Sequence, residues 1–312
     1  MIENPFNVIF KKKEFLFPYD HPLADFPFYV DIELTNKCNL NCIMCSRQIM
    51  KRPVGFMGMD IYKKIVDEVK DYEAAIRFAR WGEPTLHSKF DEALEYAREK
   101  DVLTYVSTNA FTGTDRILKL YRAKPDIIRF SFQGATKDTF EKFRRPAIFD
   151  VVARNIRVIR RKRDADKSTI PYMIVSTSLT NESEEEKGIF KDYWLQYVDQ
   201  VDFSKTTFAR VEDVVGEIKK EENITRIYRP CTEVRTKLSV NYNGDISACC
   251  SDYDGALILG NLYSSTLKEA WNSVRLNELR DLLGYKLQHN TVPHCNTCFT
   301  EDYKFDGLKR VD

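Results

Sequence analysis

Short apolar runs alternate with amphipathic segments through the first two thirds of the chain. Six runs rich in β-branched and aromatic residues predict strands at 28–34, 74–81, 102–108, 126–134, 170–179 and 201–209. Apolar residues at helical spacing predict helices at 60–72, 89–100, 116–123, 137–145, 149–164 and 184–198. Repeated strand–helix segments favour parallel strands joined by right-handed crossovers. We therefore predict an α/β fold, a partial (β/α)6 barrel of the TIM type.

The pattern changes near Arg229. Segment 237–250 predicts a β-hairpin that turns at Asn243-Gly244, and segment 266–286 predicts one amphipathic helix. A charge-rich stretch before this part reads as a linker. We expect an N-terminal arm at 1–25 and the barrel at 26–210. A linker at 211–228 then leads to a small C-terminal domain of hairpin plus helix at 229–312.

Charge and composition narrow the function classes. The 312 residues carry 48 Lys and Arg against 47 Asp and Glu, a net charge of +1, so no overall field attracts nucleic acid or an anionic membrane. The sequence has neither an apolar run of transmembrane length nor a secretory signal pattern. We therefore expect a cytoplasmic protein with reduced thiols, no nucleic-acid partner and no membrane partner.

The eight cysteines fall into two groups. For an isolated cysteine, burial as a small apolar side chain is the ordinary interpretation. Cys38, Cys42 and Cys45 lie instead within eight residues, in CNLNCIMC, which indicates a metal site. Structural zinc usually takes four ligands that arrive as pairs. Three thiols without an adjacent fourth ligand suit an iron–sulfur cluster with one open iron.

The spacing Cys38-x-x-x-Cys42-x-x-Cys45, within VDIELTNKCNLNCIMCSR, resembles the signature of the radical S-adenosylmethionine (radical SAM) superfamily. The resemblance implies a [4Fe-4S] cluster whose open iron chelates the amino and carboxylate groups of S-adenosylmethionine. It also implies a one-electron donor such as flavodoxin or ferredoxin. The product of that electron transfer is a 5′-deoxyadenosyl radical, which removes hydrogen from a substrate C–H bond.

Unusual residues stand where the predicted strands end, at the barrel rim that carries the chemistry in such folds. Gly82-Glu83-Pro84 resembles the superfamily's GGEP motif, which binds the cofactor amino group, with Trp81 in place of the first glycine. By the same resemblance, Asn109 ends the third strand and Ser131 stands where relatives contact the ribose. Arg144 aligns with an arginine available to the cofactor carboxylate, a solvated helix charge being the alternative.

The later cysteines resemble a second cluster site. Cys231, Cys249 and the pair Cys295 and Cys298 are spaced as in the twitch form of the SPASM domain. That resemblance implies one auxiliary [4Fe-4S] cluster held by these four thiols, and no further cysteine follows to suggest a second. On spacing alone, a four-cysteine zinc site is the alternative.

Cys250 is the remaining thiol, for which burial, hydrogen-atom donation or ligation in place of Cys249 all stay open. Neighbouring side chains on a strand point to opposite faces, so we do not expect both thiols to bind one cluster.

The resemblance to the aminocyclitol dehydrogenase subgroup implies two-electron oxidation of a secondary alcohol in a small molecule, a sugar, cyclitol or nucleotide. The auxiliary cluster would accept the second electron. Lys205 and Arg210, near the sixth strand, are candidate bases by position only. The alternatives are a radical epimerase with Cys250 as hydrogen donor, a peptide-modifying maturase, and a zinc-stabilised binding module without enzymatic activity.

Overall fold

The computed structural model describes residues 3–12, 19, 22–180, 182–206, 211 and 228–298. Six parallel strands pair in chain order: β1 Tyr29–Ile32, β2 Ala75–Phe78, β3 Thr104–Thr108, β4 Ile127–Gln133, β5 Tyr172–Leu179 and β6 Gln200–Lys205. The six predicted parallel strands are confirmed. Positions 207–209 of the sixth predicted strand lie outside the described residues.

Helices connect these strands in the predicted places. The helices of this part are α1 Pro5–Lys12, α2 Met59–Asp71, α3 Phe90–Glu99, α4 Thr114–Arg122, α5 Lys137–Phe143, α6 Phe149–Ala165 and α7 Glu184–Trp194. Short 3-10 turns occupy Ser46–Ile49 and Pro84–Leu86. The start of α7 shows why these helices begin where they do. The Ser183 side chain accepts from the Glu186 N–H, and the Glu186 side chain accepts from the Ser183 N–H.

The two faces of the parallel sheet have different partners. On one face, side chains such as Ile32, Phe78 and Phe130 join the helices in the main hydrophobic core. Residues at alternate positions point the other way, into the barrel. At the amino ends of the strands this inner face is apolar, and α1 covers it. Phe6 of α1 packs edge-to-face on Tyr29 and Tyr105, with ring centroids 5.8 and 5.2 Å apart. Helix α1, which lies within the predicted N-terminal arm, therefore packs against the floor of the barrel.

The C-terminal part extends the same sheet. Its strands are β7 Lys237–Val240, β8 Asp245–Ser247 and β9 Ile258–Asn261. Strand β7 pairs in parallel with β1, and the following two strands run antiparallel, which gives the order β6-β5-β4-β3-β2-β1-β7-β8-β9. The predicted hairpin is confirmed, and Gly244 at its turn has a φ of 84°, a conformation that favours glycine. The hydrophobic pattern does not predict strand β9.

Several short helices complete this part, namely α8 Glu233–Thr236, α9 Leu267–Trp271 and α10 Val274–Arg280, with a π-helical turn at Asp281–Tyr285 and 3-10 turns at His289–Thr291 and Cys295–Thr297. The single helix predicted for 266–286 is wrong. Helix α9 ends before Asn272, and the Ser273 side chain accepts from the Leu276 N–H and starts α10 in a new direction. Within the described residues, no helix has the length and apolar character needed to cross a membrane.

Candidate functional site

Cys38, Cys42 and Cys45 lie in the loop that leaves the carboxyl end of β1. Two main-chain bonds join this loop to the end of α5, since the Asn41 N–H donates to Arg145 O at 2.6 Å and the Ile43 N–H donates to Phe143 O at 2.9 Å. The loop is therefore held at the rim by the segment after β4. All three thiols are half-buried.

Two of these three thiols lie where burial disfavours the thiolate form without a counter-charge. Burial raises the pKa of Cys38 to about 11 and raises the pKa of Cys45 as well. The Arg144 guanidinium is buried next to the three cysteines. Burial lowers the pKa of Arg144, and the cysteines act in the opposite direction. One of its nitrogens donates to Phe132 O at 2.9 Å, whereas the buried Nε has no hydrogen-bond partner.

The Gly82-Glu83-Pro84 turn packs directly on the chain that leads into the cysteine loop. A Cβ atom on residue 82 would lie 1.9 Å from Thr35 O and 2.8 Å from Lys37 O, so only glycine fits there. The Glu83 N–H donates to Lys37 O at 2.9 Å. The turn and the cysteine loop are therefore built as one unit.

The Glu83 carboxylate is buried and fully engaged inside the protein. Oε1 accepts from the hydroxyls of Thr85 and Thr108 at 2.7 and 2.8 Å and from the Thr85 N–H at 3.3 Å. Oε2 accepts from the Asn109 N–H at 2.8 Å. Burial raises the pKa of Glu83, and these hydrogen bonds counteract it. Glu83 therefore joins the ends of β2 and β3.

Asn109 continues the connection toward the cysteines. Its Nδ2 donates to Asn39 Oδ1 at 2.9 Å and lies 3.8 Å from Cys38 Sγ. Ser131, in β4, is 3.3 Å from the hydroxyl of Ser107 on β3. The structure thus places the cysteine loop, the Gly82 turn, Asn109 and Arg144 at one rim, with Ser131 on the neighbouring inner wall.

Cys231, Cys249 and Cys250 lie near the carboxylate of Glu233, and Cys298 lies near Cys231. Glu233 lies close enough to Cys231 to raise the pKa of that thiol, although burial is the larger cause and brings the value to about 12. Cys298 also acts on Cys231, and the Cys298 N–H donates to Cys295 O at 2.9 Å. All four predicted auxiliary cysteines therefore belong to one region below the sheet extension.

Cys250 lies in the same region. Its thiol donates to Glu233 Oε2 at 3.1 Å and accepts from Lys237 Nζ at 3.4 Å. Burial and the hydrogen bond to Cys249 both raise the pKa of Cys250, the hydrogen bond being the larger cause. Strand alternation does not separate the two thiols, because β8 ends at Ser247 and both cysteines follow it in a turn.

A single metal ion needs its ligand atoms closer together than an iron–sulfur cluster does. Among the described residues, the ligand atoms of one set of three potential metal ligands, Glu233, Cys249 and Cys250, all lie within 4.8 Å of one another. Cys38, Cys42 and Cys45 do not form such a set. A tetrahedral zinc ion with bonds of about 2.3 Å would hold its sulfur ligands about 3.8 Å apart. The first triplet therefore lacks the close spacing of a single-ion site, and an iron–sulfur cluster takes each thiolate on a different iron.

Arg80 and Asp202 are two further residues of the site that the sequence did not reveal. Arg80 follows β2 and Cys249 follows β8, and the Arg80 guanidinium donates to Cys249 O at 2.9 Å. Asp202 stands on the inner face of β6, in register with Ser176 of β5, which is in register with Ser131. In β6, Asp202 stands between Val201 and Phe203, and no comparable pattern marks Arg80.

Of the two candidate bases, only Lys205 lies within the described residues, and it does not share the inner face of β6. Lys205 is exposed at the end of β6 and shares the face of Phe203, opposite to Asp202. Phe203 packs against Phe190 of α7, so this face looks toward the helices. Arg210 lies outside the described residues.

Two family models match the chain. The model of the radical SAM superfamily matches residues 32–189, just over half of the 312 residues, and covers the cysteine loop and β2 to β5. The chain belongs to the radical SAM superfamily. The SPASM model, an iron–sulfur cluster-binding domain, matches residues 231–299. Both predicted resemblances are confirmed, and the second site is an iron–sulfur site rather than a zinc site.

One similarity to a known protein extends over nearly the whole chain. The tungsten-containing aldehyde ferredoxin oxidoreductase cofactor-modifying protein of Pyrococcus furiosus is 23% identical over 327 residues, which cover 91% of this chain and 90% of that protein. The mycofactocin maturase MftC of Mycobacterium tuberculosis is 30% identical over 131 residues, which are 42% of this chain and 34% of that protein. The latter match therefore concerns only a part of both proteins.

Solved structures show the same fold at low identity. BtrN in complex with AdoMet and 2-DOIA has a TM-score of 0.55 and 15% identity, over 86% of this chain and 92% of that one. Streptococcus suis SuiB bound to precursor peptide SuiA has a TM-score of 0.60 and 16% identity, over 97% and 78%. These similarities establish the radical SAM fold and, by themselves, no substrate.

The cofactors of this radical SAM enzyme are a [4Fe-4S] cluster with an open iron, S-adenosylmethionine and an auxiliary [4Fe-4S] cluster. The donor sets fit them. Soft thiolates are the ligands that iron–sulfur clusters take, and the orphaned Nε of Arg144 provides a buried donor beside the first triplet. When bound, the first cluster and S-adenosylmethionine supply the 5′-deoxyadenosyl radical.

Proposed function

We propose that the protein oxidises a secondary alcohol of a small hydroxylated molecule to a ketone. In the balanced reaction, the substrate carbon gives a hydrogen atom to the 5′-deoxyadenosyl radical and its hydroxyl gives a proton to a base. The remaining electron passes to the auxiliary site, and the C–O bond becomes a carbonyl. Cys38, Cys42 and Cys45 would hold the first cluster, and Cys231, Cys249, Cys295 and Cys298 the auxiliary one.

The observation that carries this proposal is a row of hydroxyls on the inner barrel wall. Ser107, Ser131, Ser176, Ser178 and Ser204 occupy one face of β3 to β6, as the strand register requires. Their hydroxyls pair across the strands at 3.3 Å for the first two and 2.9 Å for the last two. Each hydroxyl can take part in further hydrogen bonds beyond these, which a polyol can make and an apolar substrate cannot.

A basic side chain makes the same wall attractive to a polar substrate. Arg129 of β4 faces inward and donates to Ser176 Oγ at 2.5 Å. Its position between the serines suits an oxygen-rich or anionic group, such as the phosphate of a nucleotide.

The proton acceptor in this proposal is Asp202. It is the carboxylate that the register aligns with Ser176 and Ser131, and the Gln200 side chain donates to its Oδ1 at 2.7 Å. Oδ2 is left to accept from a substrate hydroxyl. Lys205 is a poorer choice because it belongs to the opposite face of β6.

The cofactor-binding roles rest on the rim contacts. Gly82 and Pro84 shape the turn whose main chain would bind the amino group of S-adenosylmethionine, and Glu83 holds that turn against β3. The Arg144 guanidinium would bind the cofactor carboxylate, and Ser131 and Asn109 would contact its nucleoside.

The test uses anaerobically reconstituted protein, S-adenosylmethionine, a chemical reductant and a panel of cyclitols, amino sugars and nucleotides. We expect one substrate to give 5′-deoxyadenosine and ketone in equal amounts, measured by mass spectrometry. The Cys295→Ala/Cys298→Ala variant should form 5′-deoxyadenosine but little ketone, because the second electron has no acceptor. Asp202→Asn should show the same uncoupling with both clusters retained. Wild-type ketone yield in the Cys295→Ala/Cys298→Ala variant would contradict the proposal.

Peptide modification is the second candidate, since MftC is a maturase by name and the structure of SuiB holds a precursor peptide. The same assay with precursor peptides would favour it if a peptide lost mass while every small molecule stayed unchanged. Epimerisation through Cys250 is less favoured, because that thiol contacts Glu233 and Lys237 beside the auxiliary site.

A further inference from the structure

Arg80 connects the two thiol sites through its own side chain. It stands two residues before Gly82, at the rim where S-adenosylmethionine is expected. Its Nη1 donates to Cys249 O at 2.9 Å, and its Nη2 donates to Asn241 Oδ1 at 2.5 Å and to Asp252 O at 3.1 Å. One planar group therefore holds the β7–β8 hairpin and the turn that follows it.

The next residue makes a second connection between the same segments. The Trp81 ring meets the Tyr253 ring edge-to-face, with centroids 6.0 Å apart. Tyr253 follows Asp252, whose main chain binds Arg80, and its ring lies 6.1 Å from that of His294, the neighbour of Cys295. The rim turn and both halves of the auxiliary cysteine set are thus in contact through adjacent side chains.

The charge of Arg80 is not used in an ion pair. All three of its acceptors are neutral oxygens, and among the described residues no carboxylate forms a salt bridge with it. Asp31, whose pKa Arg80 helps to lower, already binds Arg77 through both oxygens and Lys237 at 3.4 Å. The carboxylate of Asp252 accepts from the Ser247 hydroxyl and three main-chain N–H groups.

We propose that Arg80 is a positioning residue that raises the reduction potential of the auxiliary cluster and so makes it an electron acceptor. The inference rests on the proposed function, because it needs a cluster at Cys249. Reduction adds negative charge to a cluster, and a fixed guanidinium bonded to the main chain of a ligand stabilises that charge. The same bonds fix the distance between the rim turn and the auxiliary site.

The test measures the potential of the auxiliary cluster alone. In the Cys38→Ala/Cys42→Ala/Cys45→Ala background, the cluster signal is titrated by electron paramagnetic resonance with Arg80 intact and with Arg80→Gln. In Arg80→Gln we expect the equilibrium constant for reduction of the cluster to fall about tenfold, which lowers the potential by about 59 mV for a one-electron couple. Arg80→Lys keeps the charge but loses the planar guanidinium, and its reduction potential should shift less than that of Arg80→Gln. Arg98→Gln, which removes an exposed arginine from α3, should leave the potential unchanged.

The outcomes separate this inference from the proposed function. An unchanged potential in Arg80→Gln, with four irons still bound, overturns the role of Arg80 and leaves the auxiliary cluster in place. A parent protein without an iron–sulfur cluster overturns both. If Arg80→Gln does not retain the cluster, Arg80→Met, which is likewise uncharged, takes its place. A lowered potential in that variant supports the role, and a potential equal to that of the parent overturns it.

Discussion

The contact between Gly82 and the chain before Cys38 leads to a quantitative prediction for Gly82→Ala. A Cβ atom there would lie 1.9 Å from Thr35 O, 2.7 Å from Thr35 C and 2.8 Å from Lys37 O. These are main-chain atoms, which cannot rotate away as a side chain would. The β2 turn and the cysteine loop must therefore separate.

Separation has two costs. Overpacking in a well-packed region costs about 1–3 kcal/mol. The hydrogen bond from the Glu83 N–H to Lys37 O, 2.9 Å long, is weakened, which adds about 1 kcal/mol. We expect the free energy of unfolding of the metal-free protein to fall by about 2–4 kcal/mol, measured by urea unfolding followed by circular dichroism.

Gly188→Ala is the matched control. Gly188 lies inside α7, where a new Cβ meets nothing within 4 Å. There alanine should stabilise the protein by up to about 1 kcal/mol, because glycine is a poor helix former. The same substitution therefore has opposite signs at the two sites. If the free energy of unfolding of Gly82→Ala lies within about 0.5 kcal/mol of the wild-type value, the two loops do not approach as closely as described.

Three further predictions concern charged groups. Glu83→Gln should lower the free energy of unfolding, measured in urea, by about 1–3 kcal/mol. The amide accepts hydrogen bonds only through its oxygen, and its NH2 group would face the Asn109 N–H. An unchanged free energy of unfolding would contradict the hydrogen bonds described. Burial raises the pKa of Asp31, but Arg77 and Lys237 outweigh it and hold that pKa below its usual range. The stability from Asp31 is therefore present above its unfolded pKa of about 3.9 and is lost as the pH falls through the folded value, so Asp31→Asn should flatten the acid limb of stability against pH. Arg144→Gln should retain iron but weaken S-adenosylmethionine binding at least about tenfold in anaerobic dialysis, since a charged hydrogen bond contributes about 1.5–3 kcal/mol; equal affinity would remove Arg144 from the cofactor site.

The parallel strands were predictable from the sequence because both of their faces leave a pattern. In β4, for example, Ile128, Phe130 and Phe132 stand at alternate positions and all belong to the core between the sheet and the helices. The motif at Cys38 was equally informative, since thiol ligands that lie close in sequence must lie close in space.

Long-range polar contacts were not predictable in the same way. Arg77 and Lys237 bind Asp31 from 46 and 206 positions along the chain, and no local pattern pairs residues that far apart. Arg80 is a similar case, since two of its three acceptors are main-chain oxygens that any sequence would provide, and the third, Asn241, lies 161 positions away. The buried charges themselves were visible as Asp, Glu and Arg at alternate positions of β1 and β2.

The break in the helix predicted for 266–286 has a local cause. The apolar spacing continues through Asn272 and Ser273, but the serine hydroxyl satisfies the N–H groups of a new helix start. The cap at Ser273 competes with continuation of α9 as one helix. Trp271 before the break and Leu276 after it both pack into the core. A periodic pattern alone does not decide between those two outcomes.

Iron counting after anaerobic reconstitution decides whether the chain holds two clusters and whether the first triplet of thiols binds one of them. We expect about eight irons per wild-type chain, about four in the Cys38→Ala/Cys42→Ala/Cys45→Ala variant, and loss of reductive S-adenosylmethionine cleavage in that variant. Wild-type iron content in the triple variant, or cleavage that survives the loss of the three thiols, would contradict this assignment.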